Sequence, residues 1–160
     1  MIGTVSEELE VNVSASKAWE VYSSLKLAKI TEEKLKSLID RLEIEGDGGV
    51  GTLIKIVFPS GGAVGFNSYT EKFTKIDHEK RVKETEVVEG GYLDLGFNLF
   101  RVRFEVIDKE DASPSPPSSC ITRCTIEYEI KEEFAANASF VSIQTLVVVM
   151  NAAADFLIAK

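Results

Sequence analysis

In "TVSEELEVNV", residues 4–13, Val5, Leu9, Val11 and Val13 fall on one parity, and Thr4, Glu8, Glu10 and Asn12 on the other. A period of two marks a strand buried on one face. Ser14 then offers a helix N-cap, and in "ASKAWEVYSSL" the residues Ala18, Trp19, Tyr22 and Leu25 share one helical stripe. A second short helix is expected from about Thr31, with Glu32 and Glu33 in its first turn, where carboxylates complement the helix dipole.

Period two returns near residue 39. Leu42 and Ile44 form one inner face; Ile54, Ile56 and Phe58 form the next. Tyr69, Glu71 and Phe73 follow, between the polar Ser68, Thr70, Lys72 and Thr74, and in "RVKETEVV" Lys83, Thr85 and Val87 share one parity. "FNLFRVRFEV" turns Asn98, Phe100, Val102, Phe104 and Val106 inward. "CITRCTIEYEI" does the same for Cys120, Thr122, Cys124, Ile126, Tyr128 and Ile130. Short spacers make these consecutive antiparallel strands, and "DKEDASPSPPSS", with three of the four prolines, is a loop. Phe134, Ala138, Val141, Val148, Ala152 and Phe156 recur at helical spacing, predicting one closing helix over the last ~28 residues, roughly 40 Å long. The order is strand, two short helices, six strands, long helix. It implies a single α+β domain over 1–160, in which a strongly curved antiparallel sheet wraps the last helix.

Gly46, Gly48 and Gly51 in "EGDGGVGT" have the G-x-G-x-x-G spacing of nucleotide-binding loops. A dinucleotide loop must lead into a helix whose N-terminus meets the pyrophosphate, and here the strand "TLIKIVF" follows. A kinase-type loop lies between strands, but the chain has no H-R-D or D-F-G. The glycines therefore read as a tight β-turn, and no cofactor is expected.

Composition narrows the function. Hydrophobic residues are 44% and charged residues 28% of the 160, an ordinary globular balance. A net charge of −8 argues against nucleic acid, whose binding draws on cationic contacts to phosphates. "MIGTVSEELEV" meets acid almost at once and lacks the apolar run of a secretory signal. "TLVVVMNAAADFLIA" is interrupted by Asn151 and Asp155 and reads as too short to cross a bilayer, so no membrane partner is expected. Cys120 and Cys124 on one strand would have Cα atoms roughly 13 Å apart, beyond disulfide reach, which suits a reduced, cytoplasmic protein. One histidine and two separated cysteines assemble no zinc site. His78, in a turn beside Asp77 and Glu79, is expected to be exposed and supports no Ser-His-Asp set.

Two inward positions carry charge where a core requires apolar side chains. Glu71 shares its face with Tyr69 and Phe73; Lys83 lies on the next strand. A three-residue turn at "DHE" would set Phe73 opposite Lys83, with Glu71 diagonal to it. A carboxylate, an ammonium and a phenol then meet on the concave side of one hairpin. They form a structural ion pair, or the lysine reaches out to the rim, or they make a polar site in an apolar cavity. Desolvation would lower the lysine pKa while the carboxylate would raise it.

"GDGGVGT", "IDHEKR", "VEGGYLDLG", "AANASF" and the closing helix resemble the birch-pollen-allergen-like, pathogenesis-related plant proteins, and within them the norcoclaurine synthase and norbelladine synthase branch. The resemblance implies a helix-grip fold: a seven-stranded curved antiparallel sheet, two short helices, a long C-terminal helix and an internal apolar cavity. It implies condensation of an aromatic amine (tyramine or dopamine) with an aromatic aldehyde, to an imine or on to a tetrahydroisoquinoline by Pictet–Spengler closure, without a cofactor. A carrier of small hydrophobic ligands is the alternative. By position the family's Tyr, Glu and Lys fall on Tyr69, Glu71 and Lys83, with Lys83 protonating or hydrogen-bonding the carbonyl oxygen, Glu71 acting as general base or holding the cationic amine, and Tyr69 as an orienting phenol. Phe73, Tyr92, Phe100, Val102 and Phe104 would line the substrate pocket. The cyclising enzymes carry a further acid where this chain has Val102, which favours the imine. The loop 111–119 is longer than the family pattern, and a monomer or weak homodimer is expected.

Overall fold

Ser14 closes the first strand as its side chain accepts a hydrogen bond from the Lys17 amide, and the chain turns from β1 (Ile2–Val11) into α1 (Ala15–Tyr22). The computed structural model describes residues 1–60, 66–109 and 119–159; the expectation for the proline-rich loop 111–119 falls, but for its last residue, outside them. The remaining elements are α2 (Lys26–Lys34), β2 (Arg41–Glu45), β3 (Leu53–Val57), β4 (Ser68–Asp77), β5 (Val82–Gly90), β6 (Phe97–Asp108), β7 (Cys120–Ile130) and α3 (Gln144–Ile158). All neighbouring strands pair antiparallel, in the order β1-β7-β6-β5-β4-β3-β2, as one curved seven-stranded sheet. Val11, Phe73, Phe104, Ile126 and Ile130 are buried from the sheet, Trp19 and Tyr22 from α1, and Met150 and Leu157 from α3.

The outward faces confirm the strand parity. Arg101 pairs with Glu86 at 3.0 Å and Arg103 with Glu84 at 2.7 Å, and both reach Glu127, at 3.2 and 2.7 Å. Cys120 and Cys124 are buried, free thiols on β7. The glycine loop is a turn that closes on itself and on β4: the Gly48 amide donates to Thr52 Oγ1 at 2.9 Å and the Gly51 amide to the Phe73 carbonyl at 2.8 Å.

Five expectations need correction. α2 begins at Lys26, not near Thr31, because the Ser24 hydroxyl accepts from the Lys26 amide and starts the helix directly after α1. Glu32 thus falls late in the helix, where its carboxylate accepts from the Leu42 amide at 2.8 Å and anchors β2. Ile44 is 37% exposed on the edge strand, while Leu42 stays half-buried. Asn98 points outward, since a register shift between Phe97 and Leu99 turns Phe97 inward in its place. The β4–β5 turn is longer than three residues: Asp77 pairs with Val82, Arg81 adopts φ 55°, and Ile76, not Phe73, stands opposite Lys83.

The fifth concerns the end of the chain. Glu132–Phe140 is a 3₁₀ segment, Val141 is extended, and only Gln144–Ile158 is α-helical. The side-chain amide of Asn137 donates to the Leu95 carbonyl at 2.8 Å, tying this segment to the end of the 3₁₀ turn Gly91–Leu95. By length and composition alone Glu132–Ile158, whose most apolar stretch has a mean hydropathy of 1.8, is long and apolar enough to cross a membrane. Its break at Val141 leaves 15 α-helical residues, fewer than the ~20 a bilayer core requires.

Candidate active site

The sheet's concave side, α2 and α3 enclose a cavity of about 170 Å³. Tyr69, Glu71 and Phe73 enter it from β4, Lys83 and Thr85 from β5, and Phe100, Val102 and Phe104 from β6. Tyr92 enters from the 3₁₀ segment Gly91–Leu95. All eight residues singled out in the sequence therefore line one cavity. Among the described residues lining it, Glu71 and Lys83 alone carry charge.

Lys83 is 3% exposed, and its Nζ lies 3.9 Å above the centroid of the fully buried Phe73 ring. The ring's negative face stabilises the cation there, so Phe73 is a platform for Lys83 as well as a wall. Opposite Lys83 on β6 stands Phe104, which offers no counter-charge. Burial dominates the titration of Lys83, holding its pKa down at about 8 although Glu71 pulls it up. Burial likewise raises the Glu71 carboxyl, while Lys83 and a hydrogen bond from Thr85 lower it. That bond runs from Thr85 Oγ1 to Glu71 Oε2 at 3.3 Å. Glu71 and Lys83 influence each other across the cavity but form no direct ion pair. Of the two opposing effects foreseen for Lys83, desolvation wins. The pair is poised rather than locked: a lysine whose pKa is lowered to about 8 faces a carboxyl above its ordinary range.

Burial raises the pKa of the Tyr69 and Tyr92 phenols, and the Glu71 charge adds to the rise at Tyr69, so both keep a proton available to donate. Tyr92 stacks on Phe100 at 3.7 Å and 4° between planes. Phe66 lies edge-on to Tyr92 at 5.0 Å and to Tyr69 at 5.7 Å, and Phe58 packs against both Phe66 and Tyr69. This belt presents flat apolar faces with two phenol donors, suited to aromatic ligands. In the motif "EGGYLDLG" the second glycine answers to the belt: Gly91 has φ 53°, and a Cβ there would stand 2.6 Å from the Tyr69 Cβ.

Sequence reasoning missed several lining groups. Phe66 follows a glycine-rich stretch with no periodicity, and Leu38 and Ile39 belong to the turn after α2. Leu146 and Val149 were legible only as helix positions, not as cavity wall. His78 is exposed as expected, yet its Nδ1 accepts from the Trp19 indole at 3.1 Å, joining the β4–β5 turn to α1. Among the described residues no cluster of three His, Cys, Asp or Glu could hold a metal.

The chain matches the model of the pathogenesis-related protein Bet v 1 family over residues 1–159. It belongs to that family. Norbelladine synthase from Narcissus pseudonarcissus is 43% identical over 161 residues, spanning 100% of this chain and 94% of the relative. S-norcoclaurine synthase 2 from Papaver somniferum is 42% identical over 130 residues, spanning 80% of this chain and 53% of the relative, so that this match reaches about half of the longer protein. Among solved structures, norcoclaurine synthase from Thalictrum flavum in complex with dopamine and hydroxybenzaldehyde superposes with a TM-score of 0.86 at 33% identity, over 100% of this chain and 88% of that one.

Proposed function

We propose that the protein condenses an aromatic amine of the tyramine or dopamine type with an aromatic aldehyde, forming an imine and releasing water. The observation that carries this is the Lys83 ammonium, buried in an otherwise apolar cavity beside a single carboxylate. A passive carrier of hydrophobic ligands gains nothing from burying a cation, which costs stability. Carbonyl addition needs one. Similarity to norbelladine synthase and to norcoclaurine synthases supports the same reading.

The steps follow from the two groups. Glu71 takes a proton from the substrate ammonium, freeing the nitrogen lone pair. As nitrogen attacks the carbonyl carbon, Lys83 protonates the developing oxyanion, giving the carbinolamine. The neutral Lys83 amine recovers a proton from the new N–H₂⁺ centre and returns it to the hydroxyl. The C–O bond breaks, water leaves and an iminium remains. Loss of the iminium proton to Lys83 gives the imine, and Glu71 releases its own proton to solvent. Tyr69 and Tyr92 hold the ring hydroxyls, and the Tyr92–Phe100 stack bounds the aromatic slot. Val102 places a methyl-bearing side chain opposite Thr85, where a further acid would be needed to drive ring closure, so the imine is the favoured end point.

The test is a product assay at neutral pH with tyramine or dopamine and dihydroxybenzaldehyde or 4-hydroxyphenylacetaldehyde. Borohydride traps the imine, and a phosphate-free blank corrects for spontaneous condensation. Wild type should exceed the blank, and Lys83→Ala should fall by at least ~10²-fold while melting as a folded protein. Equal product from wild type, variant and blank would replace this reading with the carrier.

A further inference from the structure

The reaction needs Glu71 ionised and aimed, yet burial favours its neutral form. A glutamate side chain also has several rotatable bonds, so its strand position alone does not fix its carboxylate. We infer that Thr85 is a positioning residue that holds the Glu71 carboxylate in the cavity as the base of the condensation, an inference that rests on the function proposed above.

Thr85 lies on β5 two residues beyond Lys83, on the same face, and is 4% exposed. Its hydroxyl donates to Glu71 Oε2 at 3.3 Å. Its cross-strand neighbours are Phe73 on β4 and Val102 on β6, neither of which offers its hydroxyl a side-chain partner. Its branched Cβ restricts χ1, so the hydroxyl is held on the face where Glu71 lies. A donor to a carboxylate favours the charged form, and this one opposes the effect of burial.

The titratable groups sharing this space are Lys83 on β5, Tyr69 on β4 and Tyr92 on the 3₁₀ segment; β3 contributes Ile54 and Ile56, and α3 contributes Leu146 and Val149. Lys83 acts on Glu71 through charge at a distance, and it must give up that charge during the cycle. Thr85 stays neutral throughout, so it holds the Glu71 carboxyl group in place whether or not Lys83 carries its charge. The two neighbours thus divide the work: Lys83 moves the proton at the carbonyl oxygen, and Thr85 keeps the acceptor for the amine proton in place.

Thr85→Val removes the hydroxyl at constant shape, and Thr85→Ser restores it without the methyl group. In kcat/KM profiles the acid arm should move to higher pH in Thr85→Val, with activity at pH 7 about ten-fold lower, and return toward wild type in Thr85→Ser. The aldehyde KM should change little. Independently of turnover, the carboxyl carbon of Glu71 in protein labelled at glutamate Cδ, assigned with Glu71→Gln, should titrate at higher pH in Thr85→Val than in wild type or Thr85→Ser. Should the valine disturb folding, Thr85→Ala serves in both measurements. An acid arm and a carboxyl titration unchanged in Thr85→Val overturn the inference while leaving the condensing activity standing. Absence of product from wild type overturns the functional reading instead, and the carboxyl titration then decides alone whether Thr85 holds Glu71.

Discussion

Lys83 is the residue on which the chemistry turns, and its environment sets a pH dependence with a definite sign. As a proton donor it works only while charged, so kcat/KM should decline as pH rises through about 8. Glu71 works only while ionised, so activity should also decline as pH falls through its raised pKa. A bell-shaped profile narrower than free lysine and glutamate would give is the expected result. Phe73 sharpens this expectation. Replacing it with leucine removes the ring 3.9 Å beneath the ammonium, an interaction of about 0.5–2 kcal/mol. The charged form of Lys83 loses that support, and the alkaline arm should move to lower pH by about 0.4–1.5 units. A profile of Phe73→Leu that overlays wild type would show that the ring is a wall alone.

Strands and turns explain why the site was legible before its geometry was known, and where legibility ended. Face alternation identified Tyr69, Glu71 and Lys83 because a charged residue among apolar neighbours is visible without knowing the strand pairing. The turn was read as too short, and a one-residue error would normally send every side chain to the wrong face. Here the register shift between Phe73 and Lys75 takes up one residue, so that Phe73 pairs with Thr85 and the inward set is preserved. Asn98 had no such compensation and was misplaced. The closing helix was read as too long because side-chain periodicity carries no sign of Asn137 binding a distant carbonyl. Phe66 left no trace, since a loop has no period. Gly91 shows the opposite case, a motif whose reason appears only in three dimensions. Gly91→Ala forces a Cβ against Tyr69 and a side chain into φ 53°, which should cost about 1–3 kcal/mol. Displacing Tyr92 from Phe100 should also raise KM for the aromatic substrates. Thermal melts and initial rates check both effects, and an alanine variant as stable and as tightly binding as wild type would remove the close approach from the account.

For the molecule as a whole, the cavity is a cost that the surrounding core must offset. Burying the Lys83 ammonium holds its folded pKa at about 8, against 10.5 unperturbed. Below pH 8 both folded and unfolded chains carry the proton, and the full penalty is present. Between about 8 and 10.5 the unfolded chain binds more protons than the folded one, so this group makes stability rise with pH across that window. Methionine at position 83 fills similar space without the charge, and Glu71, left without its counter-charge, can take up a proton and stay bonded to Thr85. Lys83→Met should therefore be inactive yet more stable at pH 7 by about 1–3 kcal/mol. Its advantage over wild type should shrink as pH is raised from 8 toward 10, which paired denaturant titrations would measure. A binding fold selected only to hold hydrophobic ligands would have no reason to retain lysine over methionine there. A variant that is less stable at pH 7, or an advantage that does not vary with pH, would mean that Lys83 contributes to the core as a structural cation, and the argument from its burial to catalysis would lose its footing.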